Sequence, residues 1–222
     1  MLSRGEVLLR WLQPGLADAA TLAGWHAVLD PAEQDRAGRF RFEADRRAFI
    51  AAHALARSML AEQGGLPPGD WRFIAGPAGK PELAPQHGRP WLRFNLSHCR
   101  SLVACAVAST DDVGLDVEDL DRRPMPPGLA ERFFAPEEAA WLAGLPPPAH
   151  QDGFLRLWTL KEAVVKASGE GLGLGLERFA MRLQPPALQR GPPELGAPER
   201  WRLLQLQPTP RHWLALALRR IA

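Results

Sequence analysis

Strand-like and helix-like runs pass along this chain twice in the same order, and that repetition constrains its fold more than any other feature. Glu6 to Leu12 alternates well enough for a first strand. A helical region follows, from Asp18 to Asp30 and then from about Asp45 to Gln63, where Phe49, Ala52, His53, Ala56, Met59 and Leu60 fall near one face. Gly64-Gly65 and Pro67-Pro68 end it. Three strand-like runs come next, Trp71 to Ala75, Trp91 to Leu96 and Leu102 to Ala108, before a turn at Thr110-Asp111-Asp112. The order then recurs. Val113 to Leu120 reads as a strand, Gly128 to Leu142 and Gln151 to Ser168 as helices, and Leu176 to Leu183, Arg200 to Gln207 and Trp213 to Leu218 as strands. This predicts a pseudo-duplicated α+β protein of two similar halves, residues 1–112 and 113–222, without useful residue identity between them. A site is expected where the halves meet.

Charge narrows what that site can bind. With 27 basic against 25 acidic residues the net charge is only +2, too balanced for a dedicated nucleic-acid binder, so no nucleic-acid partner is expected. No stretch approaches the roughly 20 apolar residues of a membrane span, and Met1 to Gly15 lacks the apolar core of a signal peptide. Cys99 and Cys105 make no disulfide framework and show no metal-ligand spacing with histidines, as expected of reduced thiols in a cytoplasmic protein. Proline, 22 residues, gathers in Arg123-Pro-Met-Pro-Pro-Gly, in Pro146-Pro-Pro and between Pro185 and Pro198, which read as loops with little conformational freedom to lose.

Gly114-Leu-Asp-Val-Glu118 is the most informative short segment. On a strand, Asp116 and Glu118 project to one face while Leu115 and Val117 face the core. Two carboxylates so placed suit magnesium, which takes one or two carboxylates together with phosphates and waters, although a solvated acidic strand end would look the same. Trp158-Thr-Leu-Lys-Glu-Ala-Val-Val-Lys166 sharpens the reading. Glu162 and Lys166, four apart, share a helix face, where they are either a surface ion pair or a third carboxylate beside a phosphate-neutralising ammonium. Gly169, Gly171, Gly173 and Gly175 follow, a flexible loop or a place where backbone approaches ligand closely.

Other segments could face phosphate. In Gly79-Lys-Pro81, glycine permits the turn, Lys80 offers a point charge and Pro81 stiffens the exit, though turns of this composition are common. Phe94-Asn-Leu-Ser-His98 ends a strand with Ser97 and His98, both able to donate to phosphate oxygens or simply to cap the strand end. A nucleophilic serine is not supported, since no Gly-x-Ser-x-Gly elbow surrounds it. Arg36, Arg39, Arg41, Arg46 and Arg47 cluster before the long helix, solvated or paired with Glu33, Asp35, Glu43 and Asp45, with one or two free to reach a ligand.

Together these segments resemble the larger, monomeric class of 4′-phosphopantetheinyl transferases. The resemblance runs in order through Gly79-Lys-Pro81, Phe94 to His98, Gly114 to Glu118, Phe133-Phe-Ala-Pro-Glu-Glu138 and Phe154 to Lys166, with looser similarity over Pro31 to Ser58. It implies two similar α+β halves with coenzyme A in the cleft between them. It also implies transfer of the phosphopantetheine arm to a serine of an apo acyl or peptidyl carrier protein, with adenosine 3′,5′-bisphosphate as the other product. Asp116, Glu118 and Glu162 would then bind magnesium on the pyrophosphate, and Glu162 would deprotonate the carrier serine, directly or through a water. A carboxylate that also binds magnesium has a lowered pKa, which favours a positioned weak base. Lys166 and His98 would stabilise charge at the attacked phosphate, while Lys80, Pro81 and Ser97 would hold the nucleotide end with Arg47 or Arg46 helping. The chain departs from the pattern at Ala78, where many relatives carry a bulkier side chain, and at Cys99, where a small hydroxyl residue is common; tyrosine is absent. A different magnesium enzyme, such as a nuclease, would account for the three acids but not for Lys80 with His98. A non-catalytic binding module would have no need of the acids. Arg122, Arg123 and Arg132 offer a basic surface for an acidic carrier.

Overall fold

The computed structural model describes residues 2–76, 79–123, 125–126 and 128–221; the expectation attached to Ala78, and Pro124 and Pro127 of the expected loop, lie outside the described residues. The chain opens with β1 (Val7–Leu12), then α1 (Ala19–Ala27), α2 (Pro31–Gly38) and α3 (Glu43–Gly64). Asp18 caps α1 by accepting a hydrogen bond from Thr21 N at 2.7 Å, and Asp30 with Glu33 forms a reciprocal capping box on α2. That second cap starts a separate helix that the sequence pattern missed, because Arg36 to Arg39 carries no apolar period. After α3 come the hairpin β2 (Phe73–Ala75) and β3 (Pro81–Leu83), then β4 (Leu92–His98) and β5 (Val103–Ser109).

The second half runs β6 (Asp112–Asp119), α4 (Leu129–Phe133), α5 (Pro136–Ala143) and α6 (Pro147–Ser168). It continues through the hairpin β7 (Ala180–Leu183) and β8 (Pro186–Arg190) to β9 (Trp201–Thr209) and β10 (His212–Arg219). Each half therefore has four strands after its helices rather than three. The two missed strands, β3 and β8, both begin with proline and belong to two-stranded ribbons, the positions where proline is tolerated in a sheet. The expected strand from Leu176 shortens to Ala180–Leu183, since Gly175 is left-handed and Leu176–Arg178 forms a tight helical turn.

The fold is mixed α+β. Its two larger sheets are antiparallel, with strand orders β1-β5-β4 and β6-β10-β9. They pack face to face over Leu102, Ala104, Ala106 and Ala108 from one side and Leu115, Val117, Leu214 and Leu216 from the other. The opposite face of the first sheet carries α3, through Ala56, Met59 and Leu60 against Phe94, Cys105 and Val107. The opposite face of the second carries α6, with Leu160, Ala163 and Val164 in one cluster with Ala215 and Ala217. Beside these layers β4 runs along β6 and is joined to it by side chains: Asn95 Oδ1 accepts from Leu115 N at 2.7 Å and Ser97 Oγ from Val117 N at 3.2 Å. Among the described residues no helix is long and apolar enough to cross a membrane.

Candidate active site

Strand alternation on β6 works as the sequence requires. Leu115 and Val117 are buried between the sheets, and Gly114, Asp116 and Glu118 fall on the face that meets α6. Gly114 makes the approach possible, because a Cβ there would lie 2.0 Å from the Ala163 carbonyl oxygen and 2.4 Å from Ala167 N. One α-helical turn separates Glu162 from Lys166, so both point along this seam. Lys166 Nζ donates to Asp116 Oδ1 at 2.7 Å, Leu115 O at 3.2 Å and Ser97 Oγ at 3.3 Å, tying α6 to β6 and β4 at once. Ser97 also donates to Asp116 Oδ1 at 3.1 Å, so its buried hydroxyl is engaged by the acid rather than open to solvent.

Three carboxylates in this seam oppose one another. Burial raises the pKa of Glu162 above its ordinary value, Asp116 and Glu118 add to the effect, and Lys166 offsets part of it. Glu118 is raised by the same two causes, burial and then Asp116, against the neighbouring Arg122, whose guanidinium donates to Glu118 Oε2 at 2.6 Å. Asp116 Oδ2 is buried and has no hydrogen-bond partner. An orphaned carboxylate oxygen and two reluctant carboxylates fit a bound cation, and an all-oxygen donor set suits magnesium over softer ions. The three acids do not close into one tight set, however. Among the described residues, donor atoms within 4.8 Å of one another are found instead for Cys99, Asp119 and His212. Lys166 on Asp116 and Arg122 on Glu118 hold the expected ligand oxygens.

Lys80 reaches the same seam from the β2–β3 hairpin. Its Nζ donates to Val113 O at 2.8 Å and to Lys166 O at 2.9 Å, satisfying a carbonyl of the last turn of α6. Burial draws its pKa down to about 8 against the raising influence of Asp112 and Glu82. A pocket of about 300 Å³ joins Lys80 and Pro81 to Asn95, Leu96, Glu162 and Lys166, and Gly169 and Gly171 line its rim. A larger groove of about 590 Å³ continues past Lys80 and Pro81 to Arg89, Arg93 and Asp112. These two arginines were not singled out in the sequence, since neither belongs to a recognisable motif. The glycines after α6 thus form a shaped edge: Gly169 and Gly171 are left-handed, and Gly171–Leu174 is a single tight turn.

His98 ends β4 with an exposed ring. Its pKa is nonetheless lowered, first by desolvation in the surrounding protein and then by its neighbours His53, Lys166 and Arg36, so the positive charge of Lys166 and Arg36 reaches this end of β4. Arg46 and Arg47 are not interchangeable. Arg46 pairs with Glu43 at 2.7 Å, and Arg47 donates to the carbonyls of Pro14 and Ala17, pinning the segment between β1 and α1. Arg39 pairs with Asp35, and Glu33 lies buried with His53 and Arg57. Two motif residues that look catalytic are core: Lys161 Nζ meets Glu138 at 2.7 Å, both fully buried, and donates to Leu176 O and Phe179 O.

Two family models match in succession: residues 17–110 match the one described as 4′-phosphopantetheinyl transferase, N-terminal, and residues 112–217 that of the 4′-phosphopantetheinyl transferase superfamily. The 4′-phosphopantetheinyl transferase HetI of Nostoc sp. is 39% identical over 182 residues, covering 82% of this chain and 75% of its own. The 4′-phosphopantetheinyl transferase Sfp of Bacillus subtilis is 32% identical over 157 residues, 71% of this chain and 67% of its own. Among solved structures, the holo-(acyl-carrier-protein) synthase of Thermotoga maritima aligns with 23% identity and a TM-score of 0.39, over 49% of this chain and 62% of that one.

Proposed function

Because the chain belongs to the 4′-phosphopantetheinyl transferase superfamily, we propose that it moves the 4′-phosphopantetheine arm of coenzyme A to a serine of an apo acyl or peptidyl carrier protein. Holo carrier protein and adenosine 3′,5′-bisphosphate are the products. The observation that carries this reading is the position of Lys166. It reaches from α6 to Asp116 on β6 and Ser97 on β4, beside the pocket that Lys80, Pro81 and Glu162 also line.

Asp116, Glu118 and Glu162 would hold magnesium, which when bound neutralises the pyrophosphate and the leaving oxygen. Lys166, freed from Asp116 by ligand, neutralises the phosphate under attack, and His98 lies within the same cationic end of the cleft. Glu162 takes the proton from the carrier serine at its carboxylate. The serine oxygen bonds to the pantetheine-side phosphorus, and the bond from that phosphorus to the bridging oxygen breaks, leaving the electrons on the nucleotide phosphate. Lys80 and Pro81 hold the nucleotide end; Arg89 and Arg93, along the adjoining groove, extend its positive lining. Ser97 and Arg47 act in this reading through the elements they fix, β6 and the segment after β1.

The two halves, 1–112 and 113–222, are proposed to be a structural duplication with the cleft between them. Supporting this, the sheet orders β1-β5-β4 and β6-β10-β9 correspond strand for strand, with a hairpin inserted after the helices of each half. A single chain then supplies both cleft walls, so the active form is a monomer, working in the cytoplasm where its carriers are made. The test incubates purified protein with coenzyme A, magnesium and several apo carrier proteins and follows carrier mass. A gain of one phosphopantetheine, lost with chelator and in Glu162→Gln, is expected; coenzyme A binding with no gain on any carrier would favour a binding module instead.

A further inference from the structure

A second polar cluster lies across β6 from the carboxylate seam, at the open end of the layer between the two sheets. Asp119 ends β6 on the face opposite Asp116 and Glu118, and its partner in register on β10 is His212, which is almost wholly buried. Cys99, from the turn between β4 and β5, packs against the same inter-sheet core. Donor atoms of Cys99, Asp119 and His212 lie within 4.8 Å of one another, with His212 Nε2 3.8 Å from Asp119 Oδ2. These side chains come from both halves of the chain, far apart in sequence, so no local spacing announces them.

We propose that Cys99, Asp119 and His212 bind a divalent ion of borderline softness, Zn²⁺ being the one whose preferences they match, at a site separate from the all-oxygen carboxylate seam. Thiolate, imidazole and carboxylate are the three zinc donors, and three such ligands with a hydroxyl or water complete a tetrahedron. Tetrahedral bond lengths near 2.0–2.3 Å put donors about 3.5 Å apart, so the shell closes by roughly 1.3 Å at most. The fourth position falls to Ser101, whose hydroxyl is 2.7 Å from Asp119 Oδ2, 2.8 Å from His212 Nε2 and 3.6 Å from Cys99 Sγ.

The surroundings of the imidazole suit coordination. Thr209 Oγ1 is 2.6 Å from His212 Nδ1 and also accepts from Arg211 N at 3.2 Å. A threonine hydroxyl can donate to Nδ1 or accept from it, so His212 can present either a protonated Nε2 to Ser101 or a bare Nε2 to an ion without losing its outer hydrogen bond. On binding, the Cys99 thiol proton is released to solvent as the sulfur–metal bond forms. One group opposes the ion: Arg211 contacts Asp119 Oδ2 at 2.8 Å. It is half-exposed and also reaches Asp121 at 3.0 Å, which gives its guanidinium an alternative partner. With the ion bound, the β4–β5 turn, β6 and β10 are joined through one centre, a clamp between the halves.

The test titrates Co²⁺ into untagged, chelator-stripped protein and reads the absorbance spectrum. A near-ultraviolet thiolate-to-cobalt charge-transfer band with intense tetrahedral visible bands should saturate at one equivalent and collapse on adding Zn²⁺. Both should be absent in Cys99→Ser, persist in Glu162→Gln, and reach half-saturation at about twofold to fivefold lower free cobalt in Arg211→Ala, the effect of removing one half-exposed ion pair. Cys99→Ser should keep the melting temperature of the metal-free parent, separating loss of a ligand from loss of fold. Absence of the charge-transfer band at every cobalt concentration, or its survival in Cys99→Ser, overturns the proposal. So do weak octahedral bands alone that vanish in Glu162→Gln, which would report the carboxylate seam and leave the transferase reading intact.

Discussion

Replacing Gly114 by alanine tests how the carboxylate seam between β6 and α6 is assembled. The added methyl would meet Ala163 O at 2.0 Å and Ala167 N at 2.4 Å, whereas ordinary contact begins at 3.4 Å. Both obstacles are backbone atoms of α6, so no side-chain rotation relieves the clash, and helix and strand must separate by roughly 1.4 Å locally. Overpacking of this kind costs about 2–3 kcal/mol, which for a chain of this size lowers the melting temperature by about 4–12 °C. The displaced helix carries Glu162 and Lys166 while β6 carries Asp116, so the same shift misaligns acid, ammonium and acceptor. A misplacement near 1 Å costs on the order of a hundredfold in rate. Gly24→Ala is the control: nothing lies within 4 Å of its methyl, it sits within α1, and a gain of about 0.5–1 kcal/mol is expected. Thermal melts and carrier loading measured on both variants decide the matter. Gly114→Ala melting within a degree of the parent would show that the contact does not set the packing. A large fall in melting temperature with full loading activity would show that the seam does not set the rate.

Four further outcomes follow from other parts of the molecule. Lys80 binds its proton less tightly when folded (pKa about 8) than unfolded, so the unfolded chain holds more protons between about pH 8 and 10.5. Stability relative to Lys80→Met should therefore rise across that window by up to about 3 kcal/mol, as denaturant midpoints at several pH values would show. If Lys80 also meets a ligand phosphate, coenzyme A binding near pH 8 should take up a proton, seen as buffer-dependent calorimetric enthalpy that disappears in Lys80→Met. Lys161→Met strands Glu138 as a buried charge and should cost about 3–5 kcal/mol, whereas Glu162→Gln, which relieves repulsion among the three acids, should melt no lower than the metal-free parent while losing carrier loading. Charge reversal at Arg123 and Arg132 should raise the KM for an acidic carrier and leave that for coenzyme A unchanged.

Alternation on β6 and helical spacing on α6 were legible because each depends on backbone geometry alone: period two puts Asp116 beside Glu118, and four residues make one turn from Glu162 to Lys166. What crosses between elements was not. Ser97 and Asn95 read as a polar strand end, yet their oxygens satisfy Val117 N and Leu115 N on a strand that β4 does not pair with by backbone hydrogen bonds. Lys80 read as a free point charge, and half its role is to cap α6. The strands β3 and β8 were hidden by the prolines that begin them, because proline marks a loop unless the partner strand is known.

The segment from Trp158 to Lys166 shows why a motif cannot by itself divide chemistry from scaffold. Adjacent residues on a helix lie about 100° apart, so one short string of letters must serve several surroundings. Glu162 turns toward β6, where burial and then Asp116 raise its pKa; Lys161, one residue earlier, turns into the core against Glu138, with its ammonium above the Phe179 ring at 4.3 Å. Trp158 stacks on Phe154 at 5.8 Å, and Thr159 returns its hydroxyl to Leu155 O. Of the two lysines, the one in the more recognisable part of the motif is the structural one. Its ion pair joins α5 and α6, and Glu138 accepts from Met181 N on β7, so the pair fixes the angle at which α6 presents Glu162 and Lys166 to the strand. Replacing either lysine leaves a buried acid without its partner, Glu138 for Lys161 and Asp116 for Lys166, so both variants should melt lower. Coenzyme A affinity measured by calorimetry below both melting temperatures separates the roles, since it should fall in Lys166→Met and hold in Lys161→Met.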